Sequence, residues 1–189
     1  MVYLAFDTET TGLEPARHNI LTAHFILLDE TLNEIDSLAL SIKHNEYVVS
    51  AKALEINKIN LVEHNKVSIS LFETRKKLEE FIAPYQDLVC IGHNVQFDLD
   101  FILSNRILSG ELYKKHFNST KTIDTLLILR KIRKDKGLPS EQSLSLSKIT
   151  EFLNIKLADN ENFHTAKYDI LITIELLKCI KERFNVEYN

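Results

Sequence analysis

Residues 2–12 read Val-Tyr-Leu-Ala-Phe-Asp-Thr-Glu-Thr-Thr-Gly. Val2, Leu4 and Phe6 alternate with Tyr3, Ala5 and Asp7, the period of a β-strand, and apolar residues fall on both sides. Residues 2–8 therefore read as a strand. The polar end T-E-T-T-G then leaves the sheet, with Gly12 allowing a turn.

Outward from this strand, residues 20–28 and 35–42 read as two further strands around a polar turn at 29–34. So short a connection predicts an antiparallel hairpin. The period then changes. Residues 51–59 read as a short helix, and 70–83 as a longer one, opened by the capping box Ser70 and Glu73 and followed by Pro84. Residues 88–91 are an apolar run, read as a buried strand. Gly92-His93-Asn94 turns the chain, with Asn94 as the expected cap of a helix over 95–109. A strand at 122–124 and helices at 125–134, 144–153 and 166–184 complete the pattern. The expected architecture is α/β: one domain over residues 1–189, a mixed sheet with a hairpin at one side and helices covering it.

A chain of 189 residues is long enough to bury a sizeable core. Its 44% hydrophobic and 26% charged residues are ordinary for a globular protein. The formal net charge of −4 excludes a global basic field, so any binding of nucleic acid must be local or helped by bound cations. Cys90 and Cys179 have no metal-like spacing and are expected as buried thiols in a reducing cytoplasm. The first strand starts at Val2, so no targeting signal is read before it, and the apolar run at 20–28 is far short of a membrane span.

Certain carboxylates stand out. Asp7 and Glu9 are two apart on a strand, so both side chains leave the same face, where their repulsion is relieved by a divalent cation between them. Solvation at a strand edge is the plainer account of such a pair. Asp98, in G-H-N-V-Q-F-D at 92–98, falls in the first turn of a helix after a buried strand, where the helix dipole favours it. That is also the end of an open sheet where ligands bind. Asp169 lies early in the last helix, five residues after His164.

Together, D-T-E-T-T-G, G-H-N-x-x-F-D and H-x-x-x-x-D, in that order over residues 7–169, resemble the DEDDh family of 3′→5′ exonucleases. This family includes the proofreading subunit of bacterial DNA polymerase III and ribonuclease T. The segment 53–59 and Ile123-Asp124-Thr125 are also similar to the family's pattern. The resemblance implies a ribonuclease-H-like fold with a five-stranded mixed sheet. It implies that Asp7, Glu9, Asp98 and Asp169 hold two divalent ions, Mg²⁺ or Mn²⁺, and that His164 is the general base for the attacking water. Oxygen-only ligands suit those ions, and an unperturbed histidine accepts a proton at neutral pH. By the same resemblance, the backbone of Thr10 and the side chain of Leu13 meet the terminal nucleotide, and Asn94 and Phe97 line the groove, although Leu13 and Phe97 also suit a core.

The implied substrate is the 3′ end of single-stranded DNA or RNA, with DNA favoured, and the product is a nucleoside monophosphate. A DNA polymerase is a candidate partner, a membrane is not, and the implied place is the cytoplasm. A non-catalytic nucleic-acid-binding module of the same fold is the alternative from another class. Ile170 stands where the family has a small residue, which predicts a slight shift of the last helix. Arg130, Lys131, Arg133, Lys134 and Lys136 form the densest basic cluster, read either as a phosphate track or as a solvated helix end. The run 68–72, Ser-Ile-Ser-Leu-Phe, faintly resembles a sliding-clamp peptide, but Ser70 and Phe72 are expected as cap and core.

Overall fold

The structure is a computed structural model and describes residues 1–135, 137–157 and 165–186; of 118–120 it describes the backbone alone. Three strands form an antiparallel meander: β1 (Tyr3–Thr10), β2 (Ile20–Leu28) and β3 (Glu34–Lys43). Two more extend the sheet from the other side of β1, parallel to it: β5 (Leu88–Gly92) and β6 (Phe117–Asp124). A strand of two residues, β4 (Ile69–Ser70), adds parallel to β3, so the sheet has six strands in the order β4-β3-β2-β1-β5-β6. All five expected strands are present. The sixth is too short to carry a periodic signal, and its Ser70 also caps the helix that follows.

The two faces of β1 are buried as its alternation requires. On one side Leu4 and Phe6 meet Leu78 and Ile82 of α3 (Leu71–Ile82) and Val95, Leu99 and Phe101 of α4 (Val95–Ser104). On the other, Tyr3 and Ala5 meet Ile170, Ile174 and Leu177 of α8 (Ala166–Phe184). A third cluster joins α8 to α6 (Thr125–Lys134) and α7 (Leu146–Phe152) through Leu129, Ile132, Ile149, Leu176 and Ile180. Ile170 is 2% exposed and fills the core beneath Tyr3 and Ala5, so its bulk is used as packing.

Several expectations are corrected. The helix expected over 95–109 ends at Ser104, because Asn105 is drawn away: its Oδ1 accepts from the Ile20 N–H (3.1 Å) and its Nδ2 donates to the His18 carbonyl (3.1 Å). A separate helix, α5 (Gly110–His116), starts from the Ser109 cap. The segment between α1 (Ala51–Asn57) and β4 holds an unforeseen helix, α2 (Leu61–Val67), capped by the Asn60 side chain. Ser70 and Glu73 form the capping box, but Phe72 is 74% exposed and outside the core. The buried face of α3 runs through Thr74, Leu78 and Ile82, which leaves Phe72 on the opposite side. Cys90 is buried as expected, whereas Cys179 is half-exposed.

Candidate active site

The site forms where β1 leaves the sheet. Strand alternation puts Asp7 and Glu9 on the face covered by α8. The first turn of that helix supplies Asp169; its cap is Thr165, whose side chain accepts from the Tyr168 N–H (3.3 Å). Carboxylate oxygens of Asp7, Glu9 and Asp169 lie within 4.8 Å of one another. Asp98 arrives on the first turn of α4 and is buried. Its Oδ1 accepts from both the backbone N–H (3.0 Å) and the hydroxyl (2.6 Å) of Thr8, the residue between Asp7 and Glu9.

The electrostatics follow from this crowding. Burial raises the Asp7 pKa well above the carboxylate range, and the charges of Asp98, Asp169 and Glu9 add to the rise. Glu9 is pushed up to about 8 by burial and then by Asp169 and Asp98. Asp98 is pushed up to about 7 by burial, against the lowering pull of its Thr8 hydrogen bonds. Among the described residues, the charged groups that perturb Asp7 and Glu9 are other carboxylates. Four mutually repelling oxygen donors with no sulfur or nitrogen among them fit a hard divalent cation, which removes the repulsion it replaces.

The turn after β1 is held by its neighbours. The Thr10 hydroxyl donates to the Gly12 carbonyl (2.7 Å), the Thr10 carbonyl accepts from Asn57 Nδ2 (3.1 Å), and the Thr11 hydroxyl donates to the Val48 carbonyl (2.6 Å). Gly12 lies in this turn as expected, and the space around it also favours glycine. Its φ is not positive, but a Cβ there would lie 2.2 Å from the His18 ring. Leu13 projects from this turn, 78% exposed, which excludes a core role. Phe97 is half-buried and packs its ring on Phe101 at 4.9 Å. Asn94 is exposed at the start of α4, but its side chain makes no capping bond; it takes the left-handed conformation instead, φ 68°. His164 lies outside the described residues.

Asp124 was not expected at the site. It is buried, and its Oδ1 accepts from the N–H groups of Leu126 (2.9 Å) and Leu127 (3.3 Å), capping α6, and of Asn94 (3.0 Å). One carboxylate thus fixes the starts of both α6 and α4, and the left-handed turn of Asn94 is what aims its N–H at it. Asp before an apolar helical run signals a cap; the bond to a residue 30 positions earlier has no local signal. Beside it, His93 Nδ1 lies 2.9 Å from the Thr125 hydroxyl. Burial lowers the His93 pKa, which leaves a neutral imidazole clasp between α4 and α6.

A sequence model described as Exonuclease (RNase_T) matches residues 4–177. This chain belongs to that exonuclease family. Within it, the chain is 29% identical over 195 residues to a PolC-type DNA polymerase III of Pediococcus pentosaceus, covering 99% of this chain and 12% of that polymerase. It is 25% identical over 190 residues to the 3′-5′ exonuclease DinG of Staphylococcus aureus, covering 96% of this chain and 18% of DinG. Among solved structures, E. coli exonuclease I in complex with a dT13 oligonucleotide matches with a TM-score of 0.81 and 21% identity, over 97% of this chain and 42% of that one. The likeness shows a shared ribonuclease-H-like fold. This exonuclease-family chain therefore spans a small part of its polymerase and DinG relatives and under half of exonuclease I.

Proposed function

We propose that this chain is a metal-dependent 3′→5′ exonuclease acting on single-stranded nucleic acid, DNA in preference to RNA. The observation that carries the reading is the half-buried carboxylate cluster at the end of β1 in a member of the exonuclease family. Asp7, Glu9, Asp98 and Asp169 would hold two Mg²⁺ or Mn²⁺ ions. Bound ions stabilise charge on the attacking oxygen, the leaving oxygen and the phosphoryl group. Thr8 holds Asp98 in place, and Asp124 holds the start of the helix that carries it. His164 takes a proton from water as its oxygen attacks phosphorus; the bond from phosphorus to the 3′ oxygen of the shortened strand breaks, releasing a nucleoside monophosphate. The Thr10 backbone, exposed Leu13, Asn94 and Phe97 would receive the terminal nucleotide.

The names of the relatives support DNA as the substrate and a DNA polymerase as a partner. We read residues 1–189 as one exonuclease domain working in the cytoplasm. Among the described residues no helix is long and apolar enough to cross a membrane.

The test is cleavage of 5′-labelled single-stranded DNA and RNA of one sequence with Mg²⁺, Mn²⁺ or EDTA. A ladder shortening from the 3′ end, faster on DNA and abolished by EDTA, is expected. Faster loss of RNA would reassign the chain to RNA trimming. No cleavage of either strand by folded protein would overturn the enzymatic reading.

The same cluster predicts how stability depends on pH. Glu9 and Asp98 have folded pKa values raised to about 8 and about 7, so the folded state holds protons that the unfolded chain releases near pH ~4. In EDTA, stability is therefore full at acid pH and is lost as pH rises from ~4 through about 7–8. Mg²⁺ at pH 8 reverses the loss. At a hundred times Kd it adds about 2.7 kcal/mol, or roughly 5–11 °C for a domain of this size. Differential scanning fluorimetry at pH 5 and 8 measures both. A melting temperature indifferent to Mg²⁺ at pH 8 contradicts the metal site.

A further inference from the structure

α6 is anchored at its start beside the active site and carries cations outward. Leu127, Arg130, Lys131 and Lys134 are exposed at i, i+3, i+4 and i+7, one continuous face, while Thr125, Leu129 and Ile132 form the buried face. At 1.5 Å per residue this face runs for about 10 Å. Its registration to the site is rigid, through Asp124 to Asn94 (3.0 Å) and Thr125 to His93 (2.9 Å). Asp98 follows Asn94 within one helical turn.

The bland account of such a run is a helix C-terminus favouring cations. It covers Lys131 and Lys134, which lie in the last turn, and leaves out Arg130, which lies before it. Arg133 is a separate case, since its Nη1 donates to the Gln142 carbonyl (3.3 Å). Lys66, Lys148 and Lys178 each pair with an acid three residues away on their own helix, Glu63, Glu151 and Glu175. Among the described residues, Arg130, Lys131 and Lys134 have no such acid, and α6 itself contains none. Like charges at these spacings destabilise an isolated helix. In a chain of net charge −4, an unmatched stripe of three cations leading from an acidic centre complements a polyanion whose end lies in that centre.

We infer that the exposed face of α6 is a phosphate track: Arg130, Lys131 and Lys134 bind the backbone of a single nucleic acid strand upstream of the 3′ end held at the carboxylates. This rests on the exonuclease reading above. It separates chemistry at the carboxylates from grip on the strand, and makes the grip dependent on length and salt. On this reading a dinucleotide held at the carboxylates ends before the cations, whereas a twelve-nucleotide strand extends along the face.

The test is the triple variant R130Q/K131Q/K134Q, checked for an unchanged melting temperature. Initial rates of Mg²⁺-dependent cleavage are measured on (dT)2 and (dT)12 from 50 to 200 mM KCl, with (rU)12 as a parallel arm. Loss of three phosphate contacts should flatten the plot of log kcat/KM against log salt by about 2 on (dT)12, from ~0.7 per contact. Cleavage of (dT)2 should stay unchanged. The same flattening on (rU)12 means that the shared phosphates are read; flattening on (dT)12 alone overturns a pure phosphate track. An unchanged slope, or equal losses on (dT)2 and (dT)12, also overturns the proposal. If the parent protein cleaves nothing, the exonuclease reading fails separately. Fluorescence anisotropy of labelled (dT)12 then decides: salt-dependent binding lost in the triple variant supports the track, and equal binding by both proteins overturns it.

Discussion

Asp7→Asn abolishes cleavage and raises the melting temperature of the metal-free protein. Both effects come from one side chain. Asn keeps the shape of Asp7 but removes a carboxylate whose pKa is raised by burial and then by Asp98, Asp169 and Glu9. Without metal, that charge is a liability. Each 1 kcal/mol of relief corresponds to roughly 2–4 °C in a domain of this size. With metal, the charge is what holds the ion, so the loss of turnover should be at least ~10³-fold, about 4 kcal/mol of transition-state stabilisation. Asp100→Asn, an exposed carboxylate on α4, is the control and should change neither quantity. Calorimetry in EDTA, beside the cleavage rate in Mg²⁺, tests the pair. Full activity in Asp7→Asn ends the metal reading. A large fall in melting temperature would mean that the Asp7 carboxylate is held by stabilising partners rather than by repelling ones.

The features legible in the sequence share a physical cause: they are periodic or local. The alternation in β1 follows from a strand that buries both faces, and it puts Asp7 and Glu9 side by side without further information. The Ser70–Glu73 box is a contact between residues three apart. Asp98 in a first helical turn follows from the turn and the strand before it. What was not legible depends on partners far along the chain. Helix α4 stops where Asn105 is bonded to residues 18 and 20, and Asn94 adopts its left-handed turn to reach Asp124. Gly12 is fixed by the ring of His18, which no reading of a turn motif supplies. Phe72, being apolar, reads as core; the phase of α3, set by Thr74, Leu78 and Ile82, turns it outward. Asp169 meets Asp7 because Ile170 and Ile174 seat α8 on Tyr3 and Ala5, a packing choice visible only once the sheet is assembled.

His164→Ala separates chemistry from metal binding. The assignment of His164 rests on the resemblance of His164 and Asp169 to the H-x-x-x-x-D of the exonuclease family. A general base contributes ~10²–10⁴-fold, so kcat should fall by that much while KM changes by less than about threefold. The native rate should rise with pH as the imidazole loses its proton; in the variant that limb should vanish, leaving only titrations of the carboxylate cluster. Mg²⁺ should still raise the melting temperature of His164→Ala at pH 8 as it does for the native chain, because no ligand oxygen has been removed. In Asp7→Asn that gain should shrink. This contrast gives each role its own readout: a variant that keeps the metal and loses the rate marks a base, and one that loses both marks a ligand. If His164→Ala turns over at the native rate with its acid limb intact, the proton goes to another group, and H-x-x-x-x-D is then a coincidence of spacing.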